Sequence, residues 1–503
     1  MTEIKRLKYF CNGQFIESET EKYENIVDPS TGKVIAQSPR CTEGEVLKAI
    51  AAAKNAYPAW SNTPPMKRAQ ILFKIRDLIM QNLDDLTLSL ATENGKVWNE
   101  AQGDVLKAIE GTELACGIPT LLMGESLMNA ANGIDTVLYK ESIGVFVGLV
   151  PFNFPAMIPF GWMAPLCIAS GNTMVLKASS TTPMTAYKMA AIYKEAGVPD
   201  GVINVVTCSR NEAEIFLTHE DVRGITFVGT TNVGKHIYSV AAAHGKRVQA
   251  LCEAKNHALV LEDAPLERTA AGIINAAFGC AGERCMALPV VVVQESIADK
   301  LVELLVELCK ETKIGPAYDK TSDLGPVITD DHKKHVLKWI ETGLKEGAKL
   351  VLDGRDIKVK GCENGSYIGH TIFDHVTSDM TVGQKEIFGP VLCIKRVKDF
   401  EEGIKIMNAN PYANGSVIFT QNGYYAREFA KRTDGGMVGI NVGIPVPIGI
   451  FPFSGHKNSF FGDLHALGKD GVKFYTETKS VTTKWFNQEE MKQKTVSTWD
   501  GTI

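Results

Sequence analysis

The chain has 503 residues, with 53 Lys and Arg against 58 Asp and Glu, and a net charge of -5 that excludes global attraction to nucleic acid. A hydrophobic content of 45% and a charged content of 22% are ordinary for a globular protein, here long enough for about three domain-sized units or two large ones with an appendage. Eleven scattered cysteines, odd in number and without a CxxC pair, fit a reducing compartment and argue against both a disulfide framework and a zinc site.

Residues 1–15 contain no uninterrupted apolar core, so no signal peptide is visible and a cytoplasmic location is expected. Residues 8–16 predict a hairpin turning at Asn12-Gly13, and Asp28 to Gly32 a second turn. Apolar stripes at helical spacing predict helices over 43–59, 66–92 and 98–116, followed by one strand over 138–150. No charged residue occurs between Glu141 and Lys177. Pro151, Pro155, Pro159 and Pro165 break that run, which therefore reads as a buried, loop-rich core and not as a membrane span.

From Met174 onward strands and helices alternate. Strands are predicted at 173–176, 202–206 and 225–228, with helices at 183–196 and 211–217 between them. Such a succession builds a parallel sheet with ligands at the carboxyl ends of its strands. Gly229-Thr-Thr-Asn-Val-Gly234-Lys235-His236 then nearly spells a phosphate-binding P-loop, and Asp263 ends an apolar run as a magnesium-binding acid would. An NTPase is the rival reading, weakened because His236 stands where a P-loop needs a hydroxyl on Mg²⁺. The other reading needs no metal: glycines let a nucleotide pyrophosphate approach a helix N-terminus.

A helix capped by Asp263 leads into the glycine-rich loop Gly279-Cys-Ala-Gly-Glu-Arg-Cys285, which precedes the β-branched strand 290–293. Cys285 is the candidate nucleophile. An adjacent Arg284 guanidinium and oriented N–H groups are expected to raise its thiolate fraction; the alternative is a small buried hydrophobe. Helices at 297–313 and 332–346 and strands at 391–395, 415–419 and 438–442 complete a second α/β unit, which meets the first near residues 251–257.

Six motifs then fall into one order: Pro151-Phe152-Asn153-Phe154-Pro155, Gly171 to Lys177, Phe227-Val-Gly-Thr230 with Gly234, Gly282-Glu-Arg-Cys285, Glu386-Ile-Phe-Gly-Pro390, and Pro452-Phe-Ser-Gly455. Together they resemble the NAD(P)-dependent aldehyde dehydrogenase superfamily over essentially the whole chain. Arg284-Cys-Met-Ala287, Ala254-Lys-Asn-His257 and the segment Asp353 to Gly361 are most similar to its CoA-acylating methylmalonate-semialdehyde branch. The resemblance implies an α/β fold. It comprises a Rossmann-like coenzyme domain (1–129 and 147–251), an α/β catalytic domain (252–450) and a small oligomerisation strand extension (130–146 and 470–488).

It also implies roles. Cys285 attacks the aldehyde, and Asn153 with the Cys285 N–H holds the oxyanion, donors of a kind commonly worth about 3 kcal/mol each. Lys177 and Glu386 bind cofactor ribose, Phe388 packs against the nicotinamide, Gly229 and Thr230 face the pyrophosphate, and Phe152 and Gly234 belong to the same cofactor-binding set. NAD is the expected cofactor, but Ser180 stands where NAD-preferring relatives often carry glutamate, and losing that carboxylate removes a repulsion to a 2′-phosphate, so NADP is admitted. Lys107 replaces an arginine that would grip the substrate's acid group together with Arg284. Leu251 stands where most of the superfamily has its general base, and Glu253 where it has a glycine. Missing the base agrees with acyl transfer to CoA.

The expected reaction is CoA-acylating oxidation of a short anionic aldehyde, malonate or methylmalonate semialdehyde. The alternatives are sulfoacetaldehyde as the substrate, or a non-acylating enzyme releasing free acid. No metal, nucleic acid or membrane partner is expected. The alternating stretch 472–485 resembles the strand through which relatives form homodimers or homotetramers. A catalytically silent binding protein is the remaining reading from another class.

Overall fold

The structure, a computed structural model, describes residues 4–494. Its largest sheet has eight strands, and its five central strands are parallel. Their order is Ile203–Val206, Thr173–Lys177, Val145–Leu149, Val222–Val228 and Arg247–Leu251. The first of them in sequence, Val145–Leu149, lies in the middle; the next two add on one side and the last two on the other. That order is doubly wound, and its switch point lies between Val145–Leu149 and Val222–Val228. All five residues of Val145–Leu149 are buried, as a strand covered on both faces by helices requires.

The chain then passes to a second sheet between Leu251 and His257. Seven strands order as Lys349–Leu352, Thr371–Asp374, Val391–Val397, Val290–Gln294, His257–Val260, Gly415–Phe419 and Met437–Ile440, all parallel except the first. Strands Ser126–Ala131, Ile134–Ser142 and Thr476–Lys484 form a separate antiparallel sheet. Phe460–Phe461 returns to close the edge of the first sheet against Arg247–Leu251.

The hairpin at Asn12-Gly13 is present, with both turn residues at positive φ. Four expectations are corrected. The single helix over 66–92 is two, Pro65–Gln81 and Leu83–Asn94, because the chain leaves helical geometry at Asn82. The single strand over 138–150 is also two, in different sheets: Gly144, at φ +142°, turns the chain between Ile134–Ser142 and Val145–Leu149. The run without charges is buried but not loop-rich after Pro155, since a π-helical turn Ile158–Met163 continues into helix Ala164–Ala169. Over 472–485 helix Gly468–Phe474 comes first, and only Thr476–Lys484 is strand. Among the described residues no helix is long and apolar enough to cross a membrane.

Candidate active site

Three of the cofactor motifs sit at carboxyl ends of parallel strands. Lys177 ends Thr173–Lys177; Phe152 and Asn153 follow Val145–Leu149 by a few residues; Gly229 and Thr230 follow Val222–Val228. The last two pairs flank the switch point, where open α/β sheets leave a crevice. Thr230 is the N-cap of helix Thr231–Ala243, and Gly229 N–H donates to Leu251 O at 3.0 Å. Gly234 lets that helix lie on the next strand, since a Cβ there would meet Cys252 Sγ at 2.2 Å. Lys177 is half-buried and enters none of the ion pairs of the described residues; Ser180 is half-buried nearby in sequence. These donors suit a dinucleotide: an unpaired ammonium, glycine-backed amides and a helix N-terminus.

Glu386 accepts the Ala254 N–H at 3.0 Å, and burial, then the charge of Glu253, push its carboxyl up to about 8. Phe388, at φ +59°, sets its ring edge-on to Phe152 with centroids 5.9 Å apart. Its carbonyl accepts from His332 Nε2 at 2.7 Å.

The loop that carries Cys285 is bent by Cys280, Ala281 and Gly282, consecutive residues at positive φ. Gly282 is required by space as well, because a Cβ there would stand 2.2 Å from Gly389 O. Asn256 Nδ2 holds the loop from below, donating to Cys285 O at 3.0 Å and Ala287 O at 2.8 Å. Asn153 is buried, and its Nδ2 donates to Glu283 O at 3.2 Å, which leaves its second N–H uncommitted. Both asparagines thus fix the segment that carries the thiol.

Cys285 is the one half-buried cysteine; the other ten are buried. Arg284, expected to activate it, interacts with it only through charge and makes no hydrogen bond to it. The guanidinium turns away, donating from Nε to Cys280 Sγ at 3.1 Å and from its NH₂ group to Glu100 Oε1 at 3.1 Å. Burial, then the charge of Glu386, push the Cys285 thiol up to about 12, against the N–H groups of Cys285 and Met286, which favour the thiolate. Without cofactor this is a resting thiol.

Beyond it opens a cavity of about 500 Å³ whose apolar wall includes Phe154, Met157, Trp162, Ile444 and Phe453. Arg284 and Lys107 both line it, from different segments. Sequence reasoning missed the acids beside them. Lys107 pairs with Glu110, Arg284 with Glu100, and Asp104 with a buried Lys96 at 2.8 Å. Glu100, Asp104, Lys107 and Glu110 recur at helical spacing on Trp98–Cys116, a pattern visible in the sequence. Asp104 also accepts Met157 N–H at 2.7 Å, tying that helix to the segment carrying Asn153.

The P-loop features have other employment: His236 Nε2 bonds the Glu214 carboxylate at 2.9 Å, and Asp263 accepts from Thr420 Oγ1 and Gln421 N–H. Asp263 therefore does not cap the following helix, which runs Leu266–Phe278 behind Pro265. Leu251 is buried on its strand, in one core with Val228 and Met286.

A thiol held under a side-chain amide, where a doubly wound nucleotide sheet meets a second α/β sheet, is the architecture of a thiol-dependent, dinucleotide-linked oxidoreductase. The aldehyde dehydrogenase family model matches residues 15–481, and the chain belongs to that family. Malonate-semialdehyde dehydrogenase 1 of Geobacillus thermodenitrificans is 50% identical over 485 residues, which cover 96% of this chain and all of that one. The crystal structure of methylmalonate-semialdehyde dehydrogenase from Oceanimonas doudoroffii is 42% identical with a TM-score of 0.95, covering 97% of this chain and 99% of that one. A Sinorhizobium meliloti 1021 structure, named as a methylmalonate-semialdehyde dehydrogenase and complexed with NAD, is 39% identical at the same TM-score and coverage. The chain is an oxidoreductase of NAD(P)-dependent type.

Proposed function

We propose that the chain oxidises a short semialdehyde bearing an acid group, malonate or methylmalonate semialdehyde, and transfers the acyl group from Cys285 to CoA. The names of the relatives support the substrate class. One observation carries the acyl transfer: the usual base position is Leu251, buried in the core, and Glu253 is bonded to Thr231 N–H at 3.1 Å and not turned to serve Cys285.

In this reading the Cys285 sulfur, on losing its proton, bonds the aldehyde carbon, and the carbonyl oxygen becomes an oxyanion held by Asn153 and the Cys285 N–H. Lys177 and Glu386 hold the cofactor ribose, Phe152 and Phe388 its nicotinamide, and Gly229, Thr230 and Gly234 leave room for its pyrophosphate; Ser180 places no charge against a 2′-phosphate. Bound there, the nicotinamide supplies a hydride acceptor. The carbonyl re-forms as a thioester on Cys285. A CoA thiolate then adds to that carbonyl, the bond to Cys285 breaks, and the Cys285 sulfur regains a proton. A thiol needs less help than water, since it ionises near pH 8.5 and is intrinsically nucleophilic; base assistance to water is typically worth 10²–10⁴-fold.

Arg284 and Lys107 bind the acid group. A lysine is a point charge indifferent to planarity, whereas arginine suits a flat carboxylate, so Lys107 favours a sulfonate such as sulfoacetaldehyde as the second substrate reading. The exposed sheet bearing Leu127, Met128 and Val481 supports a homodimer or homotetramer, and eleven free cysteines support a reducing, cytoplasmic setting. The test is rapid mixing of enzyme, NAD and semialdehyde without CoA. A burst of reduced cofactor matching the active sites, then slow turnover that CoA accelerates, is expected; full velocity without CoA, yielding free acid, would refute the acyl transfer.

A further inference from the structure

One carboxylate in the cleft has no part in the chemistry above. Helix Thr231–Ala243 opens at Thr230, whose side chain makes no capping hydrogen bond. The acceptor comes instead from the end of the neighbouring strand: Glu253 Oε2 takes the Thr231 N–H at 3.1 Å. Glu253 is pinned from behind, because its carbonyl accepts Ser459 Oγ at 2.7 Å and Cys252 N–H donates to Ser459 O at 2.8 Å. The next amide, Ala254, donates to Glu386. Two carboxylates from separate segments therefore meet on one wall of the cleft, close enough for the charge of Glu253 to be felt by Glu386.

We propose that Glu253 sets the affinity of the dinucleotide site by occupying the first amide of helix Thr231–Ala243 with a fixed negative charge that opposes the cofactor's pyrophosphate. The inference rests on the assignment of that helix end to the pyrophosphate. A helix N-terminus favours one anion through a few N–H groups and its dipole. A carboxylate already seated on one of those groups both uses a donor and repels a second anion. Nucleotide binding must turn Glu253 off Thr231 or tolerate its charge, and in either case the complex is weaker and the reduced cofactor leaves sooner.

The test is calorimetric binding of NAD and of ADP, which carries the pyrophosphate without nicotinamide, to the full chain. Glu253→Gln keeps an amide oxygen for Thr231 N–H and removes only the charge; Glu253→Gly removes both. Both variants are expected to bind NAD and ADP about tenfold more tightly than the wild type, the size of one like-charge contact near a protein surface. The difference should narrow in about 0.5 M salt, where the screening length is short, which a merely structural role would not produce. Asn232→Asp, on an exposed residue of the same helix turn, adds charge and should weaken both ligands. If Asn232→Asp weakens binding but Glu253→Gln leaves it unchanged or weaker, the role of Glu253 is overturned and the cofactor assignment stands. If Asn232→Asp has no effect, the helix end is not the pyrophosphate site and both fall.

Discussion

The ionisation of Cys285 can be measured without cofactor or substrate, and the structure fixes its course. Burial first, and the Glu386 charge second, push the thiol up to about 12. At pH 8 the thiolate fraction is then about 10⁻⁴, against about 10⁻¹ for an unperturbed thiol ionising near 9, so alkylation should be about a thousandfold slower. Iodoacetamide is a suitable probe, because the other ten cysteines are buried and Cys285 faces the cavity; Cys285→Ala supplies the blank. The inactivation rate should rise from pH 7 to 10 with no plateau, less steeply than tenfold per unit where Glu386 ionises near pH 8 and close to tenfold above it. Glu386→Gln adds a second signature. Glu386 is itself held up at about 8, so below that pH it is protonated and neutral and its replacement should change little. Above pH 8 its carboxylate opposes the thiolate, and Glu386→Gln should accelerate alkylation. A plateau at or below pH 8 in the wild type, or an acceleration by Glu386→Gln that is equal at pH 7 and pH 9.5, would refute the reasoning.

Two further outcomes follow from the acids of helix Trp98–Cys116. Glu110→Gln should lower KM for an anionic aldehyde several-fold and leave propanal unchanged, because it frees Lys107 from its partner; steady-state kinetics with equal effects on both aldehydes would take Lys107 out of substrate binding. Asp104→Asn should destabilise the protein by about 3–5 kcal/mol, since it strands the ammonium of Lys96 in a site where both partners are almost wholly buried. A urea unfolding midpoint equal to that of the wild type would show that the pair is not a fixed charge pair.

Most central strands were legible because each is a short apolar run bounded by turn residues, and their alternation with helices announces a parallel sheet though not its strand order; Arg247–Leu251, Lys349–Leu352 and Thr371–Asp374 were not read. Local pattern does not report direction changes. Asn82 leaves the helical stripe intact on both sides of the break, and Gly144 lies inside one β-prone stretch that serves two sheets. Cys285 stood out by residue type in a glycine-rich loop and Gly229 and Gly234 at a strand-to-helix turn, whereas Asn153 was reached only through the resemblance of its motif. What clamps them was less so: Asn256 and Asn414, each in the loop just before a strand, reach Cys285 O from elsewhere in the chain, and no spacing announces it. The direction of Arg284 was misread for the same reason. Adjacency to Cys285 suggests contact, but successive side chains diverge, and the partner that attracts the guanidinium, Glu100, lies 184 residues upstream.

That misreading changes how selectivity must be understood. Lys96, Lys107 and Arg284 are each matched by Asp104, Glu110 and Glu100, so the cavity offers an acid substrate no vacant positive charge. A substrate anion gains only by exchange with a resident carboxylate, or by using guanidinium N–H groups that the Glu100 and Cys280 contacts leave over. Exchange replaces one charge-assisted bond with another of similar strength, roughly 1.5–3 kcal/mol in each direction, and the net gain is small. Discrimination against neutral aldehydes should therefore rest less on attraction than on which pair opens most cheaply. Lys107–Glu110 is half exposed, whereas Arg284 and Glu100 are mostly buried, and it is the exposed pair whose charges water can receive while the substrate enters. In the proposed acid-binding site the lysine, at the position where the resemblance implies an arginine, is thus the adjustable half, and Arg284 the half held in place.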